Sequence, residues 1–263
     1  MTRPAILVIG GATRIGAAIV TGFGEAGWHA VIHYGTSAEA AEELASALPS
    51  AETVQCDLAD TRAATAMVEA LAARLPDWRC LVNSASLFEY DGAEEADEAI
   101  YARAMQVNAL APARTAQAFL AHATSAAGRT VIQVTDMKIA NPNPDFFSYT
   151  MSKHALSATI AMLAKGAGRA EDRVYGLAPG AILASHDQRE EETEVSHRLN
   201  LLERKTDVDE IVAAARFLAT RAMRSGSTIF VDSGQHLLDQ DRDVIWLARE
   251  KARGQAGAGA DAA

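Results

Sequence analysis

Short runs rich in β-branched residues alternate with Ala-rich amphipathic stretches along the whole chain, and this alternation restricts the fold more than any other feature. The runs at 5–10 (AILVIG), 29–34 (HAVIHY), 53–56, 80–85, 130–135, 173–180 and 227–232 predict strands. The stretches at 15–27, 37–48, 61–74, 97–123, 147–168 and 207–221 predict helices. Strands that read as continuous apolar runs are buried on both faces, which a parallel sheet covered by crossover helices provides. The expected fold is α/β: one Rossmann-type, doubly wound parallel sheet of about seven strands with helices on both faces. With 263 residues, 49% of them hydrophobic, and no internal linker, one large unit over 1–252 can bury its own core.

The formal net charge of −10 argues against a nucleic-acid or anionic-membrane surface. The two cysteines, Cys56 and Cys80, flank apolar runs and read as free buried thiols. The start MTRPAILVIG runs straight into a strand without the flanks of a signal peptide, and no apolar run reaches the roughly 20 residues of a membrane span. A soluble cytoplasmic protein is expected. Nothing in the pattern calls for a metal. The charged segment 185–198 (SHDQREEETEVSHR) reads as a mobile loop or small helix, either a solvated run or a lid, within a substrate loop around 182–200. The Gly/Ala-rich end, from about 253, reads as a disordered tail over 253–263.

The stretch VIGGATRIGAAI follows the first predicted strand and opens the first helix. There Gly10 and Gly16 permit a tight turn and close backbone approach, and the helix N-terminus offers N–H groups and a positive dipole end to a pyrophosphate. Arg14 and Ile15 lie within this loop. The second strand ends HYGTS: His33, Tyr34, Gly35, Thr36, Ser37. An acid there would favour the free ribose 2′-hydroxyl of NADH. None is present. Thr36 and Ser37 can donate hydrogen bonds and Arg14 can supply charge, so NADPH is the expected cofactor. Thr36 and Ser37 can equally cap the following helix, and His33 reads as structural rather than catalytic.

Tyr149 and Lys153, in YTMSK, are four residues apart and share a helix face. A cation beside a phenol is expected to lower the phenol's pKa and make it a proton donor. Asp136, in QVTDMK, stands thirteen positions before that tyrosine.

The glycine loop, YTMSK and Pro179-Gly180, in this order, resemble the short-chain dehydrogenase/reductase family over about 4–238. In that resemblance Asp57 and Leu58 of CDLAD match the adenine-contacting position. Asn83, Ser84, Ala85 and Ser86 (NSAS) match the stretch after strand four, and Asn108 of VNAL matches the helix asparagine of a proton relay. Pro179 and Gly180 match the turn beside the nicotinamide. IFVDSGQHL resembles the family's last strand and turn. The sequence departs from the usual pattern in three places: Asp136 stands where serine is usual, Arg14 replaces the middle glycine of the loop, and Phe88 follows NSAS in place of a small or polar residue. Together with HYGTS these look like the pteridine reductases and the dihydromonapterin/dihydrofolate reductases built on the same fold.

That resemblance implies reduction of a pterin or folate C=N bond, with hydride reaching a ring carbon and a proton reaching the nitrogen. Tyr149 would donate or relay that proton. Asp136, its pKa raised by burial, would supply or orient it. Lys153 would favour the phenolate and bind the nicotinamide ribose, and Asn108 would hold a water leading to solvent. Phe88 either stacks on a flat heterocycle or is a core or interface aromatic, and Asp136 could instead cap a loop. Ser86 and Arg14 would meet the pterin edge or the cofactor phosphates. Tyr175 reads as core. The family also implies a homotetramer. Two other readings remain: a ketoreductase acting on an acyl thioester or sugar, and a catalytically silent NADP-binding regulator.

Overall fold

A computed structural model describes residues 3–185 and 188–260, with side chains up to Arg253. Its strands are β1 (Ala5–Ile9), β2 (His29–Tyr34), β3 (Ala51–Gln55), β4 (Trp78–Asn83), β5 (Thr130–Val134), β6 (Arg173–Pro179) and β7 (Thr228–Val231). They form one sheet in the order β3-β2-β1-β4-β5-β6-β7, with every pairing parallel. The helices between them are α1 (Arg14–Glu25), α2 (Ala38–Ala47), α3 (Thr61–Ala72), α4 (Glu98–Ala104), α5 (Ala111–His122), α6 (Phe147–Gly166), α7 (Glu190–Ser196), α8 (Val208–Ala219) and α9 (Val244–Ala260).

The two-residue period of β1 explains why both faces are covered. Ile6 and Val8 point into a core shared with Ile19, Val20 and Phe23 of α1 and Ile211 and Leu218 of α8. Leu7 and Ile9 point into the opposite core, shared with Val68 and Leu71 of α3, Phe119 of α5 and Ile160 of α6. Burying each such side chain contributes about 1.5–3 kcal/mol. Cys56 and Cys80 are free and buried. The strand order reverses at β1, whose neighbours are β2 and β4, so a crevice opens beyond the carboxyl ends of β1 and β4.

The helix expected over 97–123 is divided. A π-helical turn, Met105–Leu110, separates α4 from α5. Pro112 lies in the first turn of α5 and brings no N–H to the ordinary i→i−4 ladder. At the junction the Ala111 N–H reaches the Gln106 carbonyl, five residues back.

The charged segment 185–198 contains a short helix, α7, whose partners include α9; His186 and Asp187 of that segment lie outside the described residues. The backbone beyond Arg253 continues α9 to Ala260, where the sequence reading had a disordered tail from about 253. Alanine is the strongest helix former, and this stretch alternates it with glycine. Residues 261–263 of that expected tail lie outside the described residues. Among the described residues no helix is long and apolar enough to cross a membrane.

Candidate active site

The crevice at the carboxyl ends of the strands is a cleft of about 670 Å³. Its phosphate end is made by the β1–α1 turn. Gly10 has φ +73°, and a Cβ there would fall 2.7 Å from the Ala85 backbone. A Cβ on Gly16 would fall 2.0 Å from the Gly10 carbonyl oxygen. Neither position tolerates a side chain; the Gly10 and Gly11 N–H groups are taken up by His33, which leaves the N–H groups of the first turn of α1 to face a ligand. Thr13 makes no side-chain cap at the head of α1, and Ser37 makes none at the head of α2. The Ser37 hydroxyl is therefore not engaged in capping, and both Thr36 and Ser37 line the cleft.

His33 fixes this end from below. Its Nδ1 accepts the Gly10 N–H at 3.1 Å, so Nε2 carries the proton and donates to the Cys56 carbonyl at 3.1 Å. Burial pulls its pKa down to about 4 and keeps the ring neutral. One side chain thus ties the ends of β1, β2 and β3 together. Arg14, with φ +54°, extends its guanidinium the other way and donates to the carbonyls of Ala184 (2.9 Å) and Leu183 (3.3 Å), in the loop after β6.

At the opposite end, Asp136 follows β5 and heads the 3₁₀ turn Met137–Ile139. Its Oδ1 accepts the Lys138 N–H at 2.9 Å and its Oδ2 accepts the Tyr149 hydroxyl at 2.6 Å. The carboxylate therefore caps the turn and binds the phenol at once. Burial raises its pKa, against the opposing pull of the Tyr149 hydrogen bond and of Lys138 and Lys153. Lys153 is buried, donates to the Val134 carbonyl at 2.9 Å and has its pKa lowered to about 8 by burial. Its ammonium lies 5.6 Å from the centre of the Tyr149 ring. The Tyr149 pKa is nevertheless pushed up, by burial first and then by the charge and hydrogen bond of Asp136. This corrects the sequence-based expectation that Lys153 makes the phenol more acidic. The carboxylate is in direct contact and the ammonium is not, so the phenol keeps its proton.

Phe88 stacks on Phe146 (centroids 4.0 Å apart, 18° between planes) and meets Tyr149 edge-on at 4.7 Å. It therefore packs and lines the cleft together, with Ile245 completing the cluster. Ser86, Asp57, Leu58, Pro179 and Gly180 also line it.

Two expected residues lie behind the wall. Asn83 donates to Gln133 Oε1 (2.9 Å) and the Pro112 carbonyl (3.2 Å) and accepts from Thr115 (3.0 Å). Asn108, on the π turn, accepts the Leu87 N–H (2.7 Å) and donates to the Leu87 carbonyl (2.9 Å) and Ser152 (3.0 Å). Both side chains are engaged by protein, so Asn83 braces β4 and Asn108 fixes the 84–88 loop. The expected water-holding role of the Asn108 side chain finds its amide already occupied. Tyr175 is core, as read, and donates to the Met223 carbonyl at 2.6 Å.

His197, which also lines the cleft, falls within the segment read as a substrate loop, whereas sequence reasoning missed part of the cleft wall, namely Lys138, Gln235 and the residues Asp243, Val244 and Ile245 at the head of α9. The apolar run VIWLA after DRD was the available signal for this last element. Among the described residues no group of three or more His, Cys, Asp or Glu side chains is placed to hold a metal.

A family model described as Enoyl-(Acyl carrier protein) reductase matches residues 10–236. A solved structure of FolM Alternative dihydrofolate reductase 1 from Brucella suis, in complex with NADP, superposes with a TM-score of 0.83 at 32% identity, covering 90% of this chain and 96% of that one. Pteridine reductase 1 of Leishmania tarentolae is 26% identical, over 90% of this chain and 97% of its own length. The probable galactose dehydrogenase GalD of Rhizobium meliloti (strain 1021) is 25% identical, over 87% of this chain and 93% of its own.

Proposed function

The chain belongs to the short-chain dehydrogenase/reductase family of oxidoreductases, and within it we propose that it is an NADPH-dependent reductase of a pterin or folate C=N bond. The observation that carries this reading is the 2.6 Å hydrogen bond between Tyr149 and Asp136 at the floor of the cleft. Reduction of C=N adds a hydride to carbon and a proton to nitrogen. NADPH supplies the hydride when bound. The residues fit that cofactor: a glycine turn where no Cβ can stand, hydroxyls of Thr36 and Ser37 beyond β2, and Lys153 beside Tyr149.

The chain's own contribution is the proton. Tyr149 gives its phenolic proton to the substrate nitrogen, and Asp136, kept basic by burial, returns one to the phenolate after protonation from solvent. The two titrate as a pair. A serine at 136 could hydrogen-bond but could not store a proton near neutral pH. Phe88 offers an aromatic wall to a flat heterocycle, and residues 182–200 act as the substrate loop. The names of the Brucella suis and Leishmania tarentolae relatives support this choice of substrate.

The reading includes a homotetramer in the cytoplasm. Leu110, at the end of the π turn, and Met151, on α6, are 46% and 39% exposed and give those elements an apolar outer surface.

The galactose dehydrogenase relative favours a second reading, a carbonyl or sugar oxidoreductase. The test follows NADPH absorbance with dihydrobiopterin, dihydrofolate and an acetoacetyl thioester side by side, and NADP⁺ reduction with galactose. Turnover of the pterins is expected. Turnover with the thioester or galactose alone would install the second reading, and tight NADPH binding without any turnover would point to a regulator.

A further inference from the structure

The head of α9 reaches the reducing end of the cleft through a set of charges that the proton-delivery scheme does not use. Lys138 is buried, and its ammonium bonds to Asp243 Oδ2 at 2.8 Å and to Asn143 Oδ1 at 2.7 Å. Its own backbone N–H holds Asp136. Asp243 is buried as well, and its Oδ1 accepts the Ile245 N–H at 3.0 Å in the first turn of α9. Next to this pair, Arg242 bridges both oxygens of Asp145 (2.8 and 2.9 Å), and Asp145 also accepts the Asp243 N–H at 2.8 Å. Asn141 donates to the Leu238 carbonyl. Loop 138–145 and segment 238–245 are therefore pinned together at four points. Farther along α9, Arg249 pairs with Glu192 of α7 at 3.2 Å. Ile245 sits on Tyr149 and Phe146, and Asp243 and Val244 line the cleft.

We propose that Lys138 is a positioning residue for proton delivery, held by Asp243 at the head of α9, so that seating the C-terminal helix over the cleft and setting the charge around Asp136 and Tyr149 are a single device. The proposal rests on the reading of Asp136 and Tyr149 as the proton-delivering pair. The ionisable groups that face them are Lys138 from the 3₁₀ turn, Lys153 from α6 and Asp243 from the head of α9. His154 of α6 contacts the Lys138 carbonyl at 3.2 Å, Asp145 and Arg242 neutralise each other, and His197 lines the cleft from the end of α7. Lys138 favours ionised Asp136, and Asp243 favours the protonated phenol. Together they widen the pH range over which the carboxylate is charged while the phenol holds its proton.

The test removes both charges at once, with Lys138→Met/Asp243→Asn, so that neither is left buried alone. Carboxyl-selective ¹³C NMR of the NADPH-free protein follows the titration of Asp136, assigned with Asp136→Asn. The expected result is an Asp136 midpoint about one pH unit higher than in the wild type. The turnover profile with dihydrobiopterin should narrow from both sides, and Lys138→Arg should restore it. A purely structural role would lower turnover without moving either the midpoint or the profile, and that outcome overturns the proposal. If the double variant does not fold, Asp243→Asn carries the test, because its amide oxygen can still accept the Ile245 N–H. In that variant the unpaired ammonium should move the Asp136 midpoint down, and an unmoved midpoint overturns the proposal. A wild type that turns over no pterin sinks the functional reading alone, since the NMR midpoint needs no substrate.

Discussion

The two ends of the cleft are built on opposite principles. The phosphate end works by shape, from glycine positions where no Cβ fits and a neutral histidine that clamps the turn. The reducing end works by charge, with Asp136, Lys138, Lys153 and Asp243 packed around one phenol. At the first end burial removes charge, as the pKa of about 4 for His33 shows. At the second, burial still raises the pKa of Asp136 and lowers that of Lys153 against the partial opposition of their neighbours, and Asp136 and Asp243 add to burial in raising that of Tyr149. The proposed cofactor-binding end and the proposed proton-delivering end are thus held apart along one cleft.

Substitutions can break this division. The largest effect is expected at the reducing end. Tyr149→Phe keeps the ring against Phe88 and removes the hydroxyl, so turnover should fall about 10²–10⁴-fold while NADPH affinity, measured by fluorescence titration, stays near the wild-type value. Full turnover in this variant would leave Asp136 acting alone. Asp136→Ser restores the residue usual in the family and should lose most pterin turnover, about 10²-fold or more, with NADPH binding retained. Undiminished pterin turnover with an unchanged pH profile would make the aspartate incidental and bring the ketoreductase reading forward.

The next effect lies at the phosphate end and appears in stability. His33 titrates near 6.5 in the unfolded chain and about 4 in the fold, so the unfolded state binds more protons between these values. Stability present above pH 6.5 should be lost progressively as pH falls towards 4, by about 3 kcal/mol in total. Urea unfolding at several pH values should show this slope in the wild type and a flatter one in His33→Gln. Equal slopes would mean that His33 is not the group responsible. The smallest effect is cofactor choice. NADPH should bind about 10–100-fold more tightly than NADH, since each charge-assisted bond to the 2′-phosphate contributes roughly 1.5–3 kcal/mol. Equal affinities by titration would remove Thr36 and Ser37 from that role.

The same division governs what was legible in the sequence. Strands, crossover helices and the glycine turn follow from local patterns: β1 is apolar on both faces, and Gly10 and Gly16 stand where backbone crowds backbone. Asp136, Tyr149 and Lys153 were legible as types at a spacing. The sign of their coupling was not, because it depends on which partner makes contact, and the 2.6 Å bond to Asp136 outweighs an ammonium 5.6 Å from the ring. Asn83 and Asn108 were assigned by position, but their amides are spent on Gln133, Thr115, Leu87 and Ser152. The π turn left no mark on the apolar periodicity of 97–123, since it widens the ladder by one residue. Arg14 reaches Leu183 and Ala184, a contact across about 170 residues that no local pattern encodes.

The seating of α9 has a practical side. Asp243, Val244 and Ile245 form part of the cleft wall, and Arg242 and Asp243 anchor the helix to loop 138–145. The stretch from Arg242 to Arg249 is therefore a poor place to cut or to attach cargo. A purification handle placed at the N-terminus adjoins β1, whose N-terminal end lies at the opposite end of the strands from the crevice. A shortened form ending near residue 240 would retain all seven strands and the glycine turn and so could be soluble and bind nucleotide, yet it would lack the residues that close over Tyr149. Inactivity in such a preparation would report the missing helix rather than the wrong substrate.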